Sequence, residues 1–482
     1  MRKAGLVVVL LAGAAQGCAE PGPDLPSPDE ESQDLPCGRA DFALAPAPRS
    51  EPGLGLLAPI DIDLLTADVV IDVVRQRLQV RARMTFVAPA SDALPVFQLL
   101  PWPDELLLDG VSLAPDTLMP TVVSSPPRRI VVFPDPFAPC SEHELEVAFA
   151  VPASALSGAP LPALEFADGQ VWWSSAQEDG IPDAMLERIL PSNLLFDRHS
   201  IELTVELTGA KAPHTLVGNG VIQPDGRDRW TASFPSRQPH GSFWVLHPTQ
   251  GVNTLRRDVV LPGARIVHLE LHAFADDVDV DLELSADVAE ATLLEYDEQL
   301  GPYLHGDRYL GWLRSDLTVS MEYEGATLST PGALQHEMAH SWYARGIAPV
   351  SEHHGWMDEG MATWVTGENP YFSAQMPTGV AGPRLLVGED AWSGASLDFL
   401  HYLQGSLVYA GIAWEVGPEA LLAALRDFQA DHAPGPVTTA DLERSLFCSL
   451  GDPFVLDIVH SRVRGLDGWP DPPGPDFCTS GP

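Results

Sequence analysis

The sequence predicts an α+β, multidomain chain: an N-terminal antiparallel β sandwich or saddle domain followed by a mainly helical domain. Three observations carry this. At 482 residues the chain is too long for one ordinary core, so two or three domains are expected. From about Gly53 to Gln250 apolar residues recur with period two, as half-buried strands require. After about Gly251 the recurrence changes to helical spacing. An apolar fraction of 45% and 12 tryptophans exclude a disordered chain.

The elements follow in order. Met1-Arg2-Lys3 is a short positive region and Ala4 to Ala15 an apolar run too short to span a bilayer, so residues 1–17 read as a secretory signal. It ends Ala15-Gln16-Gly17-Cys18, which resembles a bacterial lipoprotein processing box. Cys18 is thus the expected lipidated first residue. The expected location is outside the bacterial cytoplasm, lipid-anchored to the cell envelope at the periplasmic or surface face of the outer membrane. Five cysteines is an odd number for an exported chain. Setting Cys18 aside leaves Cys37, Cys140, Cys448 and Cys478, which allow three connectivities. Cys37–Cys140 with Cys448–Cys478 is the favoured one, because each bond would tie a tail to its nearest domain. Residues 18–52, rich in Pro, Asp, Glu and Ser, read as a solvated tether.

Residues 53–250 hold the strands. Leu78, Val80, Ala82, Met84 and Phe86 alternate with polar neighbours, as do Leu145, Val147 and Phe149, and Ile201, Leu203, Val205 and Leu207. Residues 251–482 show one more strand pattern, at Val267, Leu269 and Leu271. Helical patterns then run over Ala286 to Leu300, Leu397 to Val416, Pro418 to Ala430 and Thr439 to Leu450. A formal charge of −40 argues against nucleic acid as a partner and favours cationic ligands. The run Asp276 to Asp281 reads as a solvated acidic face, since it lacks the glycine turn and terminal glutamate of a calcium loop. His353-His354 reads as a solvated loop pair.

His336-Glu337-Met338-Ala339-His340 carries the chemistry. Residues four apart share a helix face, so His336 and His340 can present two imidazole nitrogens to one point. Thr330 is the candidate N-cap, Pro331 suits the first turn and Gly346 is a candidate stop. Leu334, Met338 and Trp342 would pack on the core. Catalytic zinc needs a third protein ligand and keeps a position for water. Glu359, on a second helix from about Trp356 to Val365, is the candidate. Glu337 stands beside the ion without binding it and can accept the water's proton. The spacing therefore points to one Zn²⁺ and a zinc-dependent hydrolase.

In the setting Trp356-Met357-Asp358-Glu359-Gly360-Met361-Ala362, this motif resembles the gluzincin zinc aminopeptidases related to aminopeptidase N and leukotriene hydrolase. Leu190 to Asn193 with Phe196-Asp197 resembles the segment closing that family's β domain. Val319 to Tyr323 resembles its exopeptidase motif, and His401 to Gly405 its tyrosine segment. The resemblance implies a thermolysin-like catalytic domain over 251–482. It implies His336, His340 and Glu359 as zinc ligands, Glu337 as general base and proton shuttle, and Tyr402 as oxyanion donor. It implies substrate contacts from Glu322, on the free α-ammonium, and from Met321. The substrates implied are peptides with a free N-terminus. Val319, Glu324, Gln404 and Asp358 stand where the family commonly has Gly, Pro, Lys and Asn. The chain also ends about 80 residues after Tyr402, without the large helical domain that covers the site in many relatives, so a more open cleft is expected. Two other readings compete: a zinc endopeptidase or other amide or ester hydrolase, and a non-catalytic zinc-containing surface lipoprotein. Oligomeric state and preferred first residue stay open.

Overall fold

The period-two segments become the long strands of one eight-stranded sheet. In Arg77–Val87 each apolar residue from Leu78 to Phe86 is buried while the polar residues between them are exposed or half-buried. Glu142–Pro152 and His199–Thr208 alternate in the same way. The structure is a computed structural model and describes residues 36–39, 44–123, 128–156, 163–175, 186–368, 372–386, 388, 392, 397, 399–471, 473–474 and 476–478. The large sheet runs Val221–Pro224, Arg229–Arg237, His199–Thr208, Asp61–Asp72, Arg77–Val87, Glu142–Pro152, Glu105–Leu108, Val111–Leu113. Its pairings are antiparallel, except that His199–Thr208 lies parallel to Asp61–Asp72. A four-stranded sheet (Leu164–Ala167, Gln170–Ser174, Trp244–Pro248, His214–Gly218) and a five-stranded one (Arg49–Glu51, Gly55–Pro59, Leu94–Phe97, Arg128–Val132, Met119–Val123) accompany it.

One reading of the N-terminal part changes. The processing box and Cys18 lie outside the described residues. The tether does not extend to residue 52: Arg49–Glu51 is already a strand paired with Gly55–Pro59. Cys37 is bonded to Cys140, and Cys448 to Cys478, which is the favoured connectivity. Proline and acid content marked this stretch as solvated, but strand pairing at Arg49–Glu51 and the Cys37–Cys140 bond fix its described end.

A second five-stranded sheet begins the C-terminal part: Val252–Leu261, Arg265–Phe274, Arg308–Leu313, Ala326–Ser329, Met321–Tyr323. Only the second of these was legible as a period-two strand. Arg308–Leu313 and Ala326–Ser329 are buried along almost their whole length, so they show no alternation. Leu310, Trp312, Met321, Tyr323, Ala326 and Leu328 join the apolar core of the β part. The site-bearing sheet is thus packed directly on the N-terminal sheets.

The α-helices among the described residues are α1 (Ala153–Leu156), α2 (Leu282–Gln299), α3 (Leu334–Ala339), α4 (Trp356–Val365), α5 (Phe399–Val416), α6 (Pro418–His432), α7 (Thr439–Leu450) and α8 (Phe454–Ile458). The acidic run is more than a solvated face. Asp281 caps α2 by accepting from the Glu283 and Leu284 amides, and Asp277 accepts from the Ser315 amide and hydroxyl at 2.8 and 2.6 Å. Among the described residues no single helix is long and apolar enough to cross a membrane. The contact of α4 with α5 matters most for function. A Cβ on Gly360 would come within 2.6 Å of the Gly405 backbone, and one on Gly405 within 2.9 Å of Gly360. Glycine at both positions lets the helices touch, which brings Tyr402, one turn before Gly405, to the residues beside Gly360.

Candidate active site

The histidine helix is shorter than its sequence predicts. Thr330 is not its N-cap, which is Ala333; the Thr330 hydroxyl and carbonyl accept from the Ala333 amide at 3.3 and 3.2 Å and close a turn ahead of the helix. Residues 331–333 form that turn, and α3 starts at Leu334. It ends at Ala339, not near Gly346. The amides of Ser341 and Trp342 bond three residues back, to Met338 and Ala339, which tightens the last turn. His340 keeps helical angles (φ −60°, ψ −18°), so it still shares a face with His336. Leu334, Met338 and Trp342 are fully buried, as their spacing implied.

The Nε2 atoms of His336 and His340 lie 3.2 and 3.6 Å from one carboxylate oxygen of Glu359. All three donors fall within 4.8 Å of one another. The outer nitrogens meet carboxylates: His340 Nδ1 is hydrogen-bonded to Asp358, and Glu368 stands 3.4 Å from His336 Nδ1 as a looser ion pair. Nitrogen and carboxylate donors converging on a point, with outer carboxylates orienting the rings, fit zinc. Burial works against protonating His336, but Glu359 and Glu368 overcome it and lift its pKa to about 10. Burial would raise the Glu359 pKa, yet the two histidines and a hydrogen bond from Tyr402 hold it below the usual carboxylate range. The Tyr402 ring also stacks on His336, with centroids 5.9 Å apart.

Glu337 lies off this triad, with its carboxylate within 4.8 Å of Glu322 and His340 donors. Burial, with the nearby Glu322 and Glu359 charges, pushes its pKa up to about 8 against the pull of His336 and His340. The residues face a cleft of about 440 Å³. Leu317, Val319 and Tyr402 line it with Glu322, Glu337 and Glu368.

Glu322 is on the edge strand Met321–Tyr323, which pairs with Ala326–Ser329. Its Oε1 accepts from Arg345 Nη2 at 2.5 Å. Arg345 is itself buried and donates to His240 from the β part. The turn after α3 makes this contact possible: Gly346 packs so tightly that a Cβ would meet the Ser341 carbonyl at 2.6 Å. Glu324 is held from the β part as well, with Arg198 at 3.2 Å and Arg237 at 3.4 Å. Met321 needs correction. It alternates with Glu322 on the strand, so its side chain enters the apolar core, 1% exposed, and is not part of the cleft wall.

Sequence reasoning missed Glu368, Arg345 and the arginines on Glu324. His354 is also less free than a solvated loop residue: its Nδ1 is 2.9 Å from the Thr439 hydroxyl at the start of α7. Leu190 to Asp197 does not close the β part, because the strands from His199–Thr208 to Trp244–Pro248 follow it; it packs back on the start of Asp61–Asp72 instead. Asn193 donates to the Ile60 carbonyl and to Asp197, and Asp197 accepts from the Ile62 amide.

No protein-family model and no curated protein matches the sequence. Solved structures do match the fold. The M1 zinc metallopeptidase from Deinococcus radiodurans aligns with a TM-score of 0.60 at 17% identity, covering 86% of this chain and 96% of its own. A mutant of that protein bound to a Tyr-Ser-Ala substrate aligns equally well, at TM-score 0.60 and 17% identity over 86% and 96% of the two chains. Legionella pneumophila aminopeptidase A, in complex with aspartic acid, aligns with a TM-score of 0.65 at 12% identity, over 84% of this chain and 50% of its own. The chain thus has the fold of the M1 zinc metallopeptidases.

Proposed function

We propose that this protein is a zinc-dependent peptidase that removes residues from the N-termini of peptides. The convergence of His336, His340 and Glu359 on one point, with Glu337 beside it, carries this reading. The fold likeness to metallopeptidases, one of them bound to a tripeptide substrate, supports it. When bound, zinc supplies a Lewis acid that brings the pKa of water towards neutrality. Glu337 takes the proton of the attacking water and delivers it to the leaving amine. Tyr402 donates its hydroxyl to the oxygen that gains charge in the transition state. Glu322 accepts from the substrate's α-ammonium in a charge-assisted hydrogen bond, and Arg345 holds it in place.

A peptide-library digest read by mass spectrometry, with and without chelator, tests this. Stepwise loss of N-terminal residues that chelator abolishes is the expected result. Internal cleavage, or equal cleavage of N-acetylated and free peptides, would instead favour the endopeptidase reading. Val319 and the arginine already on Glu322 are the features that favour that second reading.

We propose also that the chain is exported and anchored through Cys18. The two disulfides suit an oxidising compartment, and Ala15 to Cys18 supplies the processing box. Metabolic labelling with a fatty-acid analogue should mark the wild-type chain and not Cys18→Ser. Equal labelling, or none, would sink the anchor.

A further inference from the structure

We infer that the cleft selects peptides with a cationic side chain, arginine or lysine, at one of the two residues flanking the bond to be cut, and that Glu368 makes the selection. The inference rests on the peptidase reading and adds a substrate class to it. Charge decides it. Among the described residues lining the cleft there is no lysine or arginine, whereas Glu322, Glu337, Glu359 and Glu368 all face it.

Three of these four charges have a partner outside the substrate's side chains. Glu322 is balanced by Arg345 at 2.5 Å. Glu337 and Glu359 together match the double charge of a zinc ion. Ligating histidines are neutral and donate Nδ1–H outward, so Glu368 beside His336 keeps its full charge. Asp358 holds the equivalent place on His340 but is 4% exposed and sealed behind the ring. The Glu368 side chain is 50% exposed in the cleft wall. Its contact with His336 is a loose ion pair at 3.4 Å, which leaves most of the roughly four lone-pair sites of a carboxylate to a guanidinium or ammonium bound in the cleft that Glu368 lines.

Two peptide pairs test this on the zinc-loaded full chain. One pair carries arginine or citrulline as first residue, the other as second. Citrulline keeps the shape and removes the charge. For the wild type kcat/KM should favour arginine about tenfold at one of the two positions, as a charge-assisted hydrogen bond allows, with the preference falling as salt rises. In Glu368→Gln the ratio should fall to within about twofold, while in Asp358→Asn it should persist. That comparison separates a contact with substrate from mere support of a metal ligand. Ratios near one at both positions in the wild type, or a ratio that survives Glu368→Gln, overturn the inference alone. No hydrolysis of any of the four peptides would overturn the peptidase reading and this inference with it.

Discussion

Glu337→Gln is expected to lower kcat/KM on peptides by about 10²–10⁴-fold, the usual contribution of a positioned general acid–base, while one zinc per chain is retained. Glutamine keeps the volume of the side chain but cannot take a proton. The donors that converge on one point are His336, His340 and Glu359, and none of them is altered. Metal content and kinetics should therefore separate cleanly. The measurement is zinc stoichiometry together with turnover of a free-N-terminus peptide. Full activity in a zinc-loaded Glu337→Gln sample would show that Glu337 does not shuttle the proton. Loss of zinc along with activity would show that Glu337 helps to hold the ion.

Arg345→Met should destabilise the protein by about 3–5 kcal/mol, the range for removing one partner of a buried ion pair. Solvent screening gives no discount, because the Arg345 and Glu322 side chains are 1% and 4% exposed. The substitution strands the Glu322 carboxylate and also removes the hydrogen bond to His240. Urea unfolding followed by tryptophan fluorescence reads the change. The double variant Glu322→Gln with Arg345→Met should recover part of the loss, since no buried charge is then left unpaired. A change below about 1 kcal/mol in the single variant would place the pair among weak surface contacts and remove its role in holding the substrate strand.

How much of the site was legible follows from how local each part is. His336, Glu337 and His340 are set by helix periodicity, so their relative placement survived even though α3 proved much shorter than expected. Asp358 and Glu359 share the next helix, whose span Trp356–Val365 was read correctly from its residues. Tyr402 came only from family resemblance. What places it is the contact of Gly360 with Gly405, which no periodicity reveals. Met321 was misplaced because a motif names residues without saying which of them faces the cleft. Strand alternation then put Glu322 at the site and Met321 in the core.

By itself the sequence picked out His336, His340 and Glu359 as candidate zinc donors with Glu337 beside them, the β part ahead of a mainly helical part, and a favoured disulfide pairing that ties down each tail. These depend on spacing within one element or on simple chain economy. Only the tertiary structure decided what surrounds the donors. Glu368 follows Glu359 by nine residues, which on a continuous helix would put it about 180° away. The chain leaves α4 at Val365 and turns at Gly367 (φ +69°), and that turn returns Glu368 to His336. Arg345 meets Glu322 across 23 residues and His240 across 105. Arg198, just before the strand His199–Thr208, and Arg237, at the end of Arg229–Arg237, reach Glu324 from the β part. Such contacts form only once the sheets pack, since no local spacing encodes a pairing between separate elements.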